Sequence, residues 1–182
     1  MSTAKQQTVL IVEDQEQLAE AYTTVISTEY GTKTATSGNE ALEKVDESVG
    51  VVILDRRMPG MSGDEVLAAL VDRGCTATVA MLTAVEADVD IIEMPFDDYV
   101  TKPIDNDELL ALVETLFERR EYDEQAQQIF RLGAKKRALE KADKQHKPEY
   151  DRLVSRIERL RERIDTVLEE SDSSADPREP PE

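Results

Sequence analysis

The chain is poor in the residues that would settle its class at a glance. It has one cysteine, Cys75, and one histidine, His146, in 182 residues. A lone thiol closes no internal disulfide, and neither residue has companions at metal-ligand spacing, so a disulfide framework and a thiolate or imidazole metal site are both excluded. Cys75 reads as a small loop residue and His146 as an exposed turn residue. No run of about 18 apolar residues is present, and Met1 to Gln7 lacks the charged-then-apolar layout of a signal peptide. The expectation is a cytoplasmic protein without membrane association. Bases are scarce too: 22 Lys and Arg against 40 Asp and Glu leave a formal charge of −18. Spread evenly, that charge would repel nucleic acid.

The charge is not spread evenly. Residues 1–121 hold 25 acids and 9 bases, whereas residues 131–163 hold 12 bases and 6 acids. An acidic first part is therefore followed by a locally basic segment. Acid-rich surfaces with few lysines also keep proteins soluble in concentrated salt, which points to a halophilic source. The length allows one ordinary domain and a small additional element.

Three short, nearly continuous apolar runs, Thr8–Val12, Val51–Leu54 and Thr78–Leu82, have the character of strands covered on both faces. Thr32–Thr36 and Asp98–Thr101 read as weaker strands. Between and after them, helical spacing recurs: Leu18, Ala21, Tyr22, Val25 and Ile26; Ala41, Leu42 and Val45; Val66, Leu67, Leu70 and Val71; Leu109, Leu112, Val113, Leu116 and Phe117. The strict alternation of strand and helix predicts an α/β fold, a doubly wound five-stranded parallel sheet in which each crossover is made by a helix.

In such a sheet, reactive groups gather outside the carboxyl ends of the strands, where the strand order reverses. There the sequence places Glu13 and Asp14, Asp55, Thr83 and Ala84, and Lys102 with Pro103. Three carboxylates brought together repel one another unless a cation joins them. An all-oxygen cluster with room for water suits Mg²⁺. In VVILDRRMPG (51–60) the apolar strand holds Asp55 at this crevice, and Met58-Pro59-Gly60 turns the chain away without covering it.

These residues carry a resemblance. Residues 8–121, through VEDQE (12–16), LDRRMPGMSG (54–63), MLTA (81–84) and DYVTKP (98–103), resemble the receiver domain of two-component response regulators. The resemblance implies that Asp55 is the phosphoacceptor and a sensor histidine kinase the partner. It implies that Glu13, Asp14, Asp55 and the backbone carbonyl of Arg57 hold Mg²⁺, with Lys102, Thr83 and Ala84 contacting the phosphoryl group. Thr83 and Tyr99 would form the switch pair, and the peptide bond before Pro103 would be cis. The chemistry agrees: a carboxylate is a competent nucleophile towards phosphorus, and metal and lysine neutralise the charge of the transferring group. No other enzymatic activity is expected.

Some positions depart from the family pattern. Glu13 stands where Asp is commoner, a longer carboxylate that would reach the metal through water. Val85–Phe96 is short for the fourth helix, and Pro95 breaks any helix there. Arg56 and Arg57 read equally as solvated screens of an acidic rim or as contacts to a phosphodonor.

Beyond residue 121, Tyr122–Lys144 has helical composition with Ile129, Leu132 and Leu139 on one stripe, interrupted by Lys136. His146-Lys147-Pro148 marks a break. Tyr150, Leu153, Ile157, Leu160, Ile164 and Val167 then repeat at heptad spacing. The two helices make either an antiparallel α-helical hairpin or strands of an intermolecular coiled coil, which would give a homodimer. Residues 122–170 resemble the HalX domain of haloarchaeal regulators, through YDEQ, KKRALE and EYDRLVSRIERLR. Residues 1–7 are expected to be an N-terminal extension and 171–182 a disordered tail.

The function expected is that of a response regulator acting on transcription through its C-terminal helices. DNA contact would fall to the row Arg152, Arg156, Arg159 and Arg163, although no groove-reading motif is present. The alternative output is protein–protein interaction without DNA. An Asp-dependent phosphatase would need a second carboxylate two residues after Asp55, where Arg57 stands. A flavodoxin-like cofactor binder would need a phosphate cradle where Glu13 and Asp14 stand.

Overall fold

The computed structural model describes residues 7–173, with side chains through Glu169. The expected N-terminal extension, Gln7 apart, lies outside the described residues. The expected tail, residues 171–182, starts too early: α6 runs on through Ser173, and the rest of the tail lies outside the described residues. Strands β1 (Thr8–Val12), β2 (Gly31–Ala35), β3 (Val49–Leu54), β4 (Thr78–Thr83) and β5 (Asp98–Thr101) form one parallel sheet in the order β2-β1-β3-β4-β5. β2 begins and ends one residue before the expected Thr32–Thr36.

The central strands are apolar throughout because both of their faces are covered. Successive side chains alternate. Val9, Ile11, Val51, Ile53, Ala80 and Leu82 pack with helices α1 (Glu16–Ile26) and α4 (Asn106–Arg119) on one side. Leu10, Val12, Val52, Leu54, Val79 and Met81 pack on the other with α2 (Gly38–Lys44) and α3 (Gly63–Asp72). Local chemistry sets the helix starts. Ser62 with Glu65, and Asp105 with Glu108, make reciprocal capping boxes at α3 and α4.

The expected alternation fails at one crossover. Between β4 and β5 the chain makes only a single 3-10 turn, Val89–Ile91, capped by the Asp88 side chain. Pro95 has no amide hydrogen to extend a helix. Ile91 and Phe96 are nevertheless fully buried.

What buries them is the C-terminal segment. Helices α5 (Glu124–Lys141) and α6 (Pro148–Ser173) pack on each other, with Tyr150 near the start of α6 bonding Glu140 near the end of α5. Pro148 opens α6, where its missing N–H costs nothing. His146 sits exposed in the connecting turn. Leu132, Ala138, Leu139, Leu153, Ile157 and Leu160 join the same core as Met81, Ile91, Phe96 and Tyr99. Of the two arrangements open from the sequence, the chain takes the hairpin, and the seam residues Leu153, Ile157 and Leu160 are spent inside it. The lysine that interrupts the α5 stripe is Lys135, which is 5% exposed. Lys136, expected in that place, lies on the rim paired with Glu140.

Candidate functional site: an acidic crevice at the strand ends

Hydrogen bonds running just past the strands bring three loop starts to one level. Glu13 N donates to Ala35 O at 3.0 Å, Asp55 N to Val12 O at 2.9 Å, and Lys102 N to Thr83 O at 2.8 Å. Glu13 and Asp55 are consequently almost wholly buried, at 2% and 6% exposure, while Asp14 is half-buried. Each of the three carboxylates offers an oxygen within 4.8 Å of the others. Lys102 reaches in from the end of β5, with Nζ 2.5 Å from Glu13 Oε2 and 3.1 Å from Asp55 Oδ2. The Lys102–Pro103 peptide is cis.

The turn behind Asp55 depends on two glycines. Gly60 has φ +75°, a conformation that suits glycine. Gly63 opens α3 beside the Asp55 carbonyl: a Cβ there would lie 2.1 Å from that oxygen. Gly63 N also donates to Arg56 O at 2.8 Å, and Arg57 N donates to Asp55 Oδ1 at 3.3 Å.

The crevice is short of positive charge. Burial pushes Glu13 upward, against the hydrogen bond from Lys102. Burial works against the Lys102 ammonium too, yet the Glu13 hydrogen bond and the neighbouring Asp55 and Glu13 charges together raise its pKa. One cation paired with two of three clustered carboxylates leaves a hard, all-oxygen set suited to a small divalent ion. The donor chemistry fits Mg²⁺.

Thr83 and Tyr99 meet at Val85. Thr83 Oγ1 accepts from Val85 N at 3.2 Å, and the Tyr99 hydroxyl donates to Val85 O at 2.6 Å. The register Leu54↔Met81↔Tyr99 puts Tyr99 on the α2, α3 and hairpin side of the sheet. Its ring is buried against Phe96, with centroids 5.6 Å apart. Ala84 is exposed beside Thr83, and Arg57 is exposed on the rim.

Arg56 differs from the solvated reading. Its side chain is largely covered; Nε lies 3.0 Å from Asp64 Oδ1 and Nη2 3.2 Å from Asp64 Oδ2, and Nη2 also pairs with Asp90. Burial opposes its charge, but hydrogen bonds to Asp64, Asp90 and Tyr99 outweigh that and raise its pKa. The residue after Asp55 therefore joins α3, the β4–β5 connection and Tyr99. Asp97 was also not singled out from the sequence. It is buried, accepting from Val79 N and from Arg131 Nε of α5, each at 2.8 Å. Partners so distant in sequence leave no local pattern to read.

Comparisons with known proteins agree with this geometry. The family model for the response regulator receiver domain matches residues 9–114, and that for the HalX domain matches 118–179. A Haloferax volcanii protein provisionally named a transcriptional regulator is 39% identical over 177 residues, covering 97% of this chain and 30% of its own length. The transcriptional regulatory protein CutR of Streptomyces coelicolor is 38% identical over 116 residues, covering 61% of this chain and 54% of its own. The chain thus spans about a third to a half of the curated relatives it matches. Response regulator TrrA of Thermotoga maritima, solved in complex with Mg²⁺ and a beryllium fluoride, superposes with a TM-score of 0.55 at 33% identity, covering 60% of this chain and 98% of that one. Among the described residues no helix is long and apolar enough to cross a membrane. The chain belongs to the response regulator receiver family, its receiver domain followed by a HalX domain.

Proposed function

We propose that the chain is a phosphorylation-switched regulator in which Asp55 takes a phosphoryl group from a sensor histidine kinase and the C-terminal hairpin carries the output to transcription. The observation that carries this reading is the clustering of Glu13, Asp14 and Asp55 beside one ammonium, Lys102, which pairs with Glu13 and Asp55. An Asp55 carboxylate oxygen attacks phosphorus. The new O–P bond forms as the P–N bond to the donor histidine breaks, and the imidazole nitrogen keeps that electron pair. The carboxylates of Glu13, Asp14 and Asp55 with the Arg57 carbonyl would hold Mg²⁺, which supplies positive charge to the transferring oxygens.

The chain's own residues do the rest. β3 holds Asp55 rigidly, Gly63 lets α3 begin close behind it, and Lys102 covers a phosphoryl oxygen as a compact cation. The Thr83 hydroxyl turns from Val85 N to the phosphoryl, and Tyr99 follows through Val85. Ala84, exposed next to Thr83, leaves the approach open and offers its backbone amide.

For the output, contact with a protein partner is favoured over groove reading. Arg156, in the middle of the basic row, is 3.5 Å from Glu93 of the receiver, which draws that row towards the chain's own acidic surface. A homodimer and DNA contact through Arg152, Arg159 and Arg163 belong to the same proposal as its subordinate forms. The test is phosphoryl uptake from a small acyl phosphate, read by intact mass. One group should be gained with Mg²⁺, and none with chelator or in Asp55→Asn. Undiminished uptake in Asp55→Asn refutes the assignment.

A further inference from the structure

The apolar stripe of α6 outruns its cover. At about 1.5 Å per residue, the 26 residues of α6 span about 39 Å and the 18 residues of α5 about 27 Å. The helices start level at their turn, where Tyr150 bonds Glu140, so the surplus lies at the far end of α6. Leu153, Ile157 and Leu160 are buried in the core shared with α5. One turn further Ile164 is half-buried, and two turns further Leu168 is 61% exposed. At that level α5 offers only Gln125 and Gln128, which line an open groove with Leu160, Arg163 and Ile164. Leu160, Ile164 and Leu168 are spaced four residues apart, a ridge of the kind that packs against a facing helix.

The charges along the same helix say which helix that is. From 152 to 163, α6 carries five arginines and two glutamates; after Arg163 every charged residue through Ser173 is an acid, beginning with Asp165 and Glu169. Arg159 and Arg163 are exposed and make no ion pair among the described residues. This end of the helix is complementary to its own reverse. We propose that α6 from Leu160 onward is a docking surface for the same segment of a second copy of this chain, the two helices running antiparallel about a two-fold axis. The inference names the partner for the protein-contact output proposed above and rests on that reading.

With the axis beside Ile164, Leu160 comes level with the partner's Leu168, and Arg159 and Arg163 come level with the partner's Glu169 and Asp165. Such an isologous contact closes on itself and makes every pairing twice. A parallel pair would set base against base and acid against acid. The ridge is short, so the contact falls among transient interfaces and forms with rising concentration. In concentrated salt the ridge supplies the affinity, and the charges choose the direction.

Sedimentation equilibrium of the full chain tests this, at the lowest salt that keeps the fold, from micromolar to submillimolar protein. The parent's mass should climb from one chain towards two. Leu168→Lys, at an exposed position outside the core, should raise the dissociation constant at least about tenfold. Arg159→Glu with Arg163→Glu should also weaken self-association, as should Asp165→Lys with Glu169→Lys, and mixing the two double variants should restore the dimer. A parent that stays monomeric leaves the face to another occupant and overturns the proposal. A dimer indifferent to Leu168→Lys overturns it too, because the contact then lies elsewhere. A dimer indifferent to the arginine reversal overturns the antiparallel pairing. Phosphoryl uptake on the same samples separates the readings: uptake by a monomeric chain overturns the dimer alone, and a dimer without uptake overturns the phosphoacceptor alone.

Discussion

Asp97, at the entrance to β5, accepts the guanidinium of Arg131 from α5 at 2.8 Å while its other oxygen takes the Val79 amide of β4 at 2.8 Å. One buried carboxylate thus ties two strands of the sheet to the C-terminal hairpin. Asp97→Ala leaves the Val79 amide and the guanidinium without an acceptor. Denaturant unfolding should show a loss of about 1–3 kcal/mol. Arg131→Ala, which keeps the Val79 bond, should cost less. Equal losses in the two variants would contradict the tie.

Gly63 sets how closely α3 approaches Asp55. Gly63→Ala puts a methyl group where the Asp55 carbonyl now lies, and backbone has to give way. Destabilisation of about 1–3 kcal/mol is expected, with reduced phosphoryl uptake because Asp55 itself moves. A fully stable, fully reactive variant would show that the approach is not tight.

Lys135 makes the hairpin's seat sensitive to alkaline pH. Burial lowers its pKa from 10.5 to about 8, with Glu93 and Asp97 favouring the charge and Arg156 and Arg131 opposing it. The unfolded chain therefore holds this proton more tightly than the folded one. Its contribution penalises the fold fully below about pH 8, and the penalty is lifted as pH rises towards about 10.5. Lys135→Met should be more stable than the parent near neutrality by on the order of 1 to 3 kcal/mol, and the advantage should shrink by pH 10. Urea unfolding at the two pH values measures it. An advantage that does not change with pH would contradict the assignment.

The acidic sheet domain should need salt. With 25 acids in residues 1–121, self-repulsion grows as screening is withdrawn. The Debye length rises from about 3 Å at 1 M salt to about 30 Å at 0.01 M. The thermal midpoint should fall on dilution from molar to millimolar salt. A constant midpoint would contradict the halophilic reading of the composition.

The sheet and the crevice were legible because their signals are local. β1, β3 and β4 are nearly continuous apolar runs, Glu13-Asp14, Asp55 and Lys102 come just after strand ends and Thr83 ends β4, so the topology alone brings them together. The seat of the hairpin was not legible. Heptad spacing in α6 says that Leu153, Ile157 and Leu160 need a cover, but it does not say whether α5, the sheet or another chain supplies it. Leu160→Asp would accordingly unseat the hairpin, so loss of a dimer in that variant would not by itself identify a coiled coil. Lys135 was overlooked for Lys136 because one residue of helical phase, 100°, separates a core position from the rim. Arg56 was read as a solvated screen or a phosphodonor contact, and its bridging role was missed because its partners Asp64 and Asp90 lie 8 and 34 residues away.

The central claim is that Asp55 is the residue that carries the phosphoryl group. After incubation with a small acyl phosphate and Mg²⁺, hydride reduction of the protein converts an aspartyl phosphate into the corresponding alcohol, and peptide mapping locates it. The account predicts one modified residue, Asp55, in the parent, with none in Asp55→Asn or without Mg²⁺. A modification at Asp14, Glu13 or any other residue of the parent, with Asp55 untouched, would contradict it.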